Sequence, residues 1–447
     1  MGKGGNIVLI NATPYNWILE DVQFDTMEHW GDTFGEGITK VISSNSSVEA
    51  YIEFKGNIFG DNHTGWGSAT YRMDGTSYKF TIHAVAAGIY SLNVTLDTFS
   101  TLSNPQGSKI ELGFVVNEDV TFTIAGDSPA TFTSTNGPSD WMQANLQILG
   151  PRPLQNICMI SSHDAGMNKV TVSNPWASES NTLTQWLPVS GQLTAGARLF
   201  DIRPTLYQQT YATGHYSHAE ILGWVGLSGQ TMQEIVDQIN AFLDVNHELV
   251  ILRLWASQNI NDSHRPFNQK EWDDLMALMA HPTTGLRHLF VADNPTQVDL
   301  KTLPLQKYIG NGKSAVVVQI QPFDINIDAF ASKGFYKDWQ LQYYDVYSDT
   351  TDFQKMKDDQ FKKMRDYCSA NPIDKRVLFV LAWGLTLEGT QNLYGNIRNN
   401  GDYSNRQLFK VFPEVSKEVY PNLISIDSIR PGDLPALAMA INWKIKQ

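Results

Sequence analysis

Residues 1–150 alternate between apolar and polar positions with a period of two. In Val48-Glu49-Ala50-Tyr51-Ile52-Glu53-Phe54 the apolar side chains fall on every second position. Tyr78, Phe80 and Ile82 alternate with polar neighbours, as do Tyr90, Leu92, Val94 and Leu96, and Val120, Phe122 and Ile124. This is the period of a half-buried antiparallel strand. Asp74-Gly75, Asn104-Pro105-Gln106-Gly107 and Asn136-Gly137-Pro138 punctuate the strands as turns. No stretch of helical period interrupts them. An all-β sandwich over 1–150 follows, with no catalytic cluster in it.

The pattern changes after Gly150-Pro151-Arg152-Pro153. Short apolar runs, Ile157–Ser161, Ala197–Ile202, Glu248–Trp255, Ser314–Ile320, Val377–Trp383 and Leu423–Ile426, read as buried parallel strands. Between them lie helical segments. Thr231–Val245 carries Met232, Ile235, Val236, Ile239 and Phe242 on one stripe. Gln269–Met279, Phe353–Tyr367 and Leu434–Asn442 are predicted helices too. Strand and helix alternating through 151–447 predict one α/β barrel, a distorted TIM barrel, whose chemistry sits at the C-terminal ends of its strands.

Three of those strand ends, with the segment that follows the second, carry an unusual set of polar residues. The first ends in His163-Asp164, the second in Asp201-Ile202-Arg203, and the last in Ile426-Asp427. His215 and His218 follow in Thr213-Gly214-His215-Tyr216-Ser217-His218. Two imidazoles with carboxylates beside them, and a guanidinium between, suit phosphoryl chemistry. One imidazole takes a proton from an attacking hydroxyl and the other gives one to the leaving oxygen. The planar fork of Arg203 meets the phosphate oxygens.

The segments Ser161-Ser162-His163-Asp164-Ala165-Gly166-Met167 and Gly196-Ala197-Arg198-Leu199-Phe200-Asp201-Ile202-Arg203-Pro204 resemble the phosphatidylinositol-specific phospholipase C family. The β-sandwich ahead of them is similar to that of fungal phospholipase-C-like phosphodiesterases. The resemblance implies that His163 is the general base on the inositol 2-hydroxyl and His215 the general acid, with Asp164 as its carboxylate partner. It also implies that Asp427 orients His163 and that Asp201 lies near the phosphate; His218 is the alternative acid. Asp345 and Tyr347 match a family Asp-x-Tyr segment that contacts inositol. The family's inositol-binding Lys and Arg are replaced by Trp255 and Gln319, so the headgroup pocket is expected to be altered. Metal-dependent relatives carry a carboxylate where Arg203 stands, so no metal or other cofactor is expected.

The remaining expectations follow from composition. Lys and Arg number 33 against 46 Asp and Glu, a net charge of −13, which argues against a nucleic-acid partner. The partners expected are a phospholipid substrate and, transiently, a membrane interface, with Trp176 as the interfacial residue. Trp186 is read as packing a helix onto the barrel. Cys158 and Cys368 have no metal-site spacing. No run is long enough to span a membrane. The opening MGKGGNIVLI lacks the apolar core of a signal peptide, and Asn6 breaks the myristoylation pattern. A cytoplasmic protein, or one peripheral at a membrane, is expected; secretion would need a leader. In that case the sequons at Asn11, Asn45, Asn62, Asn93 and Asn261 would matter. The rival readings are a sphingomyelinase-D-like or glycerophosphodiesterase-like barrel, and an inactive lipid- or glycan-binding protein.

Overall fold

The computed structural model describes residues 3–55, 64–87, 89–174, 176–220, 223–387 and 395–446. The chain divides into two compact units. One comprises Met1–Pro138, Arg406–Lys417 and Gly432–Gln447; the other comprises Ser139–Asn405 and Glu418–Pro431.

The first unit is built on two sheets. One has five strands, in the order Thr133–Ser134, Asp119–Ala125, Lys3–Ala12, Ser46–Phe54, Met27–Glu28. The other has six, in the order Val41–Ile42, Trp17–Asp25, Thr64–Met73, Lys79–Ala87, Tyr90–Leu96, Lys109–Glu111. The period-two residues do what their spacing predicts. Ile52, Phe54, Phe80, Ile82, Leu92, Val94 and Phe122 join one hydrophobic cluster fed by both sheets. One pairing departs from the expected antiparallel pattern: Lys3–Ala12 runs parallel to Asp119–Ala125. Parallel strands are covered on both faces, and so is this pair. Ile7 and Leu9 enter the shared core, while Val8 and Ile10 are buried on the opposite face, where the helix Leu434–Lys446 packs.

That helix explains why a single break at 150 does not describe the division. Its residues Leu434–Trp443 are all buried, as befits a helix that is apolar all round. It serves the first unit instead of closing the barrel, while residues 139–150 belong with the barrel. Of the sequons, Asn11 and Asn93 are buried, and Asn62 lies outside the described residues.

The second unit holds an eight-stranded sheet. Its strands are β1 (Met159–Ser162), β2 (Ala197–Ile202), β3 (Leu249–Leu254), β4 (Ala315–Ile320), β5 (Phe335–Lys337), β6 (Tyr343–Asp345), β7 (Leu378–Ala382) and β8 (Leu423–Ile426). The order is β5-β4-β3-β2-β1-β8-β7-β6, and every pairing is parallel. The two edges, β5 and β6, are consecutive in the chain, separated only by residues 338–342. Such a link reaches roughly 20 Å, whereas eight flat strands span about 34 Å at ~4.8 Å each. The sheet therefore curls, and it forms a barrel left open between β5 and β6, a distorted TIM barrel. The six expected strands are β1–β4, β7 and β8, each within two residues of its predicted bounds. The short strands β5 and β6 were not legible from period.

A second sheet escaped the sequence reading. It is made of Val172–Ser173, Gly223–Thr231, Thr210–Ala219, Pro204–Tyr207 and Gln258–Asn259, paired in that order. Most of it is an excursion between β2 and the helix Met232–Leu243, which Thr231 and Glu234 open with a reciprocal capping box.

Candidate active site

The ends of β1 and β8 are tied together. The backbone N–H of His163 donates to Ile426 O at 3.1 Å. The buried Gln185 side chain donates to the carbonyls of His163 (2.8 Å) and Ile426 (3.2 Å) and accepts from the N–H of Ile429. This brings Asp427 to His163, with Nδ1 2.8 Å from Asp427 Oδ1. A carboxylate only accepts, so Nδ1 carries the hydrogen and Nε2 presents its lone pair. That nitrogen faces Arg203 Nη2 at 2.8 Å, and a guanidinium only donates. In the neutral form of His163, that lone pair rests on Arg203.

Asp164 lies beneath. Its side chain is fully buried, yet Oδ1 is 2.7 Å from Arg203 Nε, and Oδ2 is 3.9 Å from His163 Nε2 and 3.7 Å from His215 Nδ1. One carboxylate therefore neutralises a guanidinium and lies between two imidazoles. Neither oxygen accepts a hydrogen bond of good geometry from the described residues. His215 comes from the second sheet. Its Nδ1 is 2.9 Å from Thr182 O; a carbonyl only accepts, so Nε2 is left to carry the exchangeable proton. The close approach of the neighbouring strand requires Gly226, where a Cβ would stand 2.1 Å from the His215 carbonyl oxygen.

The two imidazoles differ in basicity. Burial opposes a charge on His163, but Asp164 and Asp427 more than offset it and raise its pKa to about 9, with Arg203 acting against them. Burial also opposes charge on His215, and there it prevails: Asp164 is countered by Arg203 and His163, and the pKa is lowered. For Asp164, burial is outweighed by Arg203 and the two histidines, so its pKa is lowered and it stays ionised.

Asp201 and Arg203, two apart, leave the end of β2 together. Asp201 Oδ2 lies 3.7 Å from Arg203 Nη2, and Oδ1 accepts from the indole N–H of Trp255. Three strand ends are strained: Asp164, Ala256 and Ser428 have φ of 41°, 46° and 53°. Non-glycine residues held there cost about 1–3 kcal/mol each and cluster at functional sites. Each lies beside or within the residues just described.

His163, Asp164, Arg203, His215, Asp427 and Asp201 are thus brought together. His218 is not; its exposed ring meets Trp224 edge-on. Trp255 gives its indole N–H to Asp201. Gln319 needs correction as a headgroup contact: it is fully buried, and its amide nitrogen donates to Leu341 O (2.6 Å) and Asp338 O (3.1 Å). Asp345 is ion-paired with Arg253, while Tyr347 is 61% exposed. Trp176 is 68% exposed. Trp186 packs as expected: it donates to Asp402 at 3.1 Å, and Arg398 lies 3.9 Å over its ring.

Arg253 and Thr182 were missed. Arg253 interrupts the apolar run of β3, and that interruption was the available signal. Thr182 acts through its backbone carbonyl, which leaves no trace in residue type.

His163, Asp164 and Asp201 each offer a ligand atom within 4.8 Å of one another, a set able to hold a cation. Arg203 already contacts all three of those side chains, so its guanidinium sits where such an ion would. Among the described residues no helix is long and apolar enough to cross a membrane.

The geometry gathers two imidazoles around a buried carboxylate and a guanidinium at the strand ends of a parallel barrel. No protein-family model matches the chain, and no curated protein matches it. Among solved structures the chain is similar to phosphatidylinositol-specific phospholipase C from Staphylococcus aureus. A mutant form of that enzyme is 13% identical over 68% of this chain and 97% of that one, with a TM-score of 0.46. It is also similar to phosphatidylinositol-specific phospholipase C from Listeria monocytogenes, 17% identical over 69% of this chain and 98% of that one, with a TM-score of 0.44.

Proposed function

We propose that this chain is a metal-independent phosphodiesterase that cleaves a phosphatidylinositol-like lipid to diacylglycerol and a cyclic inositol phosphate. The observation that carries the reading is the Asp427–His163–Arg203 chain of contacts with His215 across Asp164. A bound phosphodiester draws the Arg203 fork onto its oxygens, and this frees His163 Nε2 to take the proton of the headgroup hydroxyl. That oxygen bonds to phosphorus, the bond from phosphorus to the diacylglycerol oxygen breaks, and His215 Nε2 protonates the departing oxygen. Arg203 stabilises the charge that builds on phosphorus-bound oxygens, a task a metal ion would otherwise perform.

In this reading the barrel unit is catalytic and the first unit is a β-sandwich accessory module. Trp176 meets the lipid interface, and the protein works as a peripheral enzyme at a membrane surface. Asp345 and Arg253, with Tyr347 nearby in sequence, meet the headgroup. The test is product analysis on vesicles of phosphatidylinositol, phosphatidylcholine and sphingomyelin. Diacylglycerol from phosphatidylinositol supports the reading. Ceramide phosphate from sphingomyelin favours the sphingomyelinase-D-like alternative. Binding without turnover favours the inactive one.

A further inference from the structure

A guanidinium and a carboxylate two residues apart at one strand end have an obvious way to waste each other. Arg203 and Asp201 can close into a fork-on-carboxylate pair at about 2.8 Å, which would occupy N–H groups that a phosphate needs. The observed separation is 3.7 Å, Nη2 to Oδ2. Asp201 is held off by other donors. Its Oδ1 accepts from the indole N–H of Trp255, and its Oδ2 from the backbone N–H of Asp164 at 3.4 Å.

The same indole supports the cation. Arg203 Cζ lies 5.0 Å from the Trp255 ring centroid and Arg253 Cζ 5.4 Å from it, both within cation–π range. Arg253 is itself anchored by Asp345 and lies 4.7 Å over the ring of Tyr343. Trp255 is fixed at its backbone, where its N–H donates to Ile202 O at 3.1 Å. The following residue, Ala256, is held left-handed at φ 46°, a strain that persists only where surroundings over-determine it.

We infer that Trp255 is a positioning residue for Arg203: its N–H restrains Asp201 and its ring bears the guanidinium, so that Asp201 does not take the N–H groups that a phosphate needs. The inference rests on reading Arg203 as the phosphate clamp. It assigns to Trp255 an effect through Asp201 and not a contact with the headgroup.

The experiment is titration calorimetry with inorganic phosphate on the full chain. It compares wild type, Trp255→Phe, Asp201→Asn and the double variant, with Trp255→Leu as a second probe. Trp255→Phe keeps a ring and removes the N–H; freed Asp201 then closes on Arg203, and phosphate affinity falls about tenfold, the scale of one hydrogen bond to a charged group. In the Asp201→Asn background the same change costs little, because no carboxylate remains to compete; the two effects are non-additive. Trp255→Leu, which also removes the ring, loses more than Trp255→Phe. Thermal unfolding of each variant separates these losses from misfolding. Equal losses from Trp255→Phe in both backgrounds, unchanged affinity in folded Trp255→Phe, or no phosphate binding by wild type would overturn the inference. Phosphate binding that follows the expected pattern without phosphodiester turnover would leave it standing and sink the enzymatic reading instead.

Discussion

Replacing Asp427 with Asn tests the His163 assignment through its acid–base behaviour. In the wild type Asp427 Oδ1 sits 2.8 Å from His163 Nδ1 and helps to raise the imidazole pKa to about 9, after Asp164 and against burial. Asn keeps an oxygen to accept from Nδ1–H but removes the charge. An opposite charge at this range typically shifts a pKa by about 1–3 units. The His163 side chain is 37% exposed, so solvent screening places the expected fall near the lower end, about one unit or roughly 1.4 kcal/mol. The sign follows from the two pKa directions. Catalysis needs His163 neutral and His215 protonated, yet His163 is the more basic of the two. The reactive pair is then the minor tautomer of the singly protonated site. The plateau ends below the pKa of His215 and above that of His163, as macroscopic values of the pair. The assay is kcat/KM against pH on a soluble phosphodiester of inositol. Asp427→Asn should move the basic limb to lower pH by about one unit and leave the acidic limb in place. A basic limb that stays where it was, or moves up, would refute the assignment.

Other outcomes follow from the same geometry. His215→Ala should lower turnover about 10²–10⁴-fold, whereas His218→Ala, whose ring lies against Trp224, should leave it near wild type; the opposite pattern in single-turnover rates would exchange their roles. Arg203→Ala should lose orders of magnitude in turnover and Arg203→Lys should recover little of it, since Lys lacks a planar fork. Activity should survive chelator, because a guanidinium and a divalent ion about 4 Å apart repel by several kcal/mol at intermediate dielectric; loss in chelator with recovery on Ca²⁺ or Mg²⁺ would contradict this. Glu248→Gln should cost about 3–5 kcal/mol of stability in denaturant titration, the usual result of stranding one buried charge. Arg198 and Glu248 are both fully buried and paired, so an unchanged midpoint would show that the pair carries no such weight.

Much of this architecture was legible because period two and continuous apolar runs are consequences of burial on one face or on two. Val48–Phe54 and Ile424 needed no more than that. The helix Leu434–Lys446 was legible as a helix but not as part of the first unit, since nothing in an all-round apolar segment names which sheet it covers. The strands Phe335–Lys337 and Tyr343–Asp345 are too short to show a period, and they set the open seam of the barrel. At the site, residue type pointed to His163, Arg203 and Asp427 because their chemistry belongs to side chains. That His215 and not His218 joins the cluster depended on which strand face turns toward Thr182 and Asp164. Gln319 misled because residue type does not show where its amide points; its nitrogen is given to the carbonyls of Asp338 and Leu341. Those partners are distant in sequence.

The most direct test of the central claim is phosphorus NMR of the first product formed from phosphatidylinositol in the presence of chelator. Attack by the headgroup hydroxyl, with His163 as base and His215 as acid, predicts that a cyclic inositol phosphate appears before any acyclic phosphate. A first product that is an acyclic phosphomonoester, or turnover only after a divalent metal is restored, would contradict it.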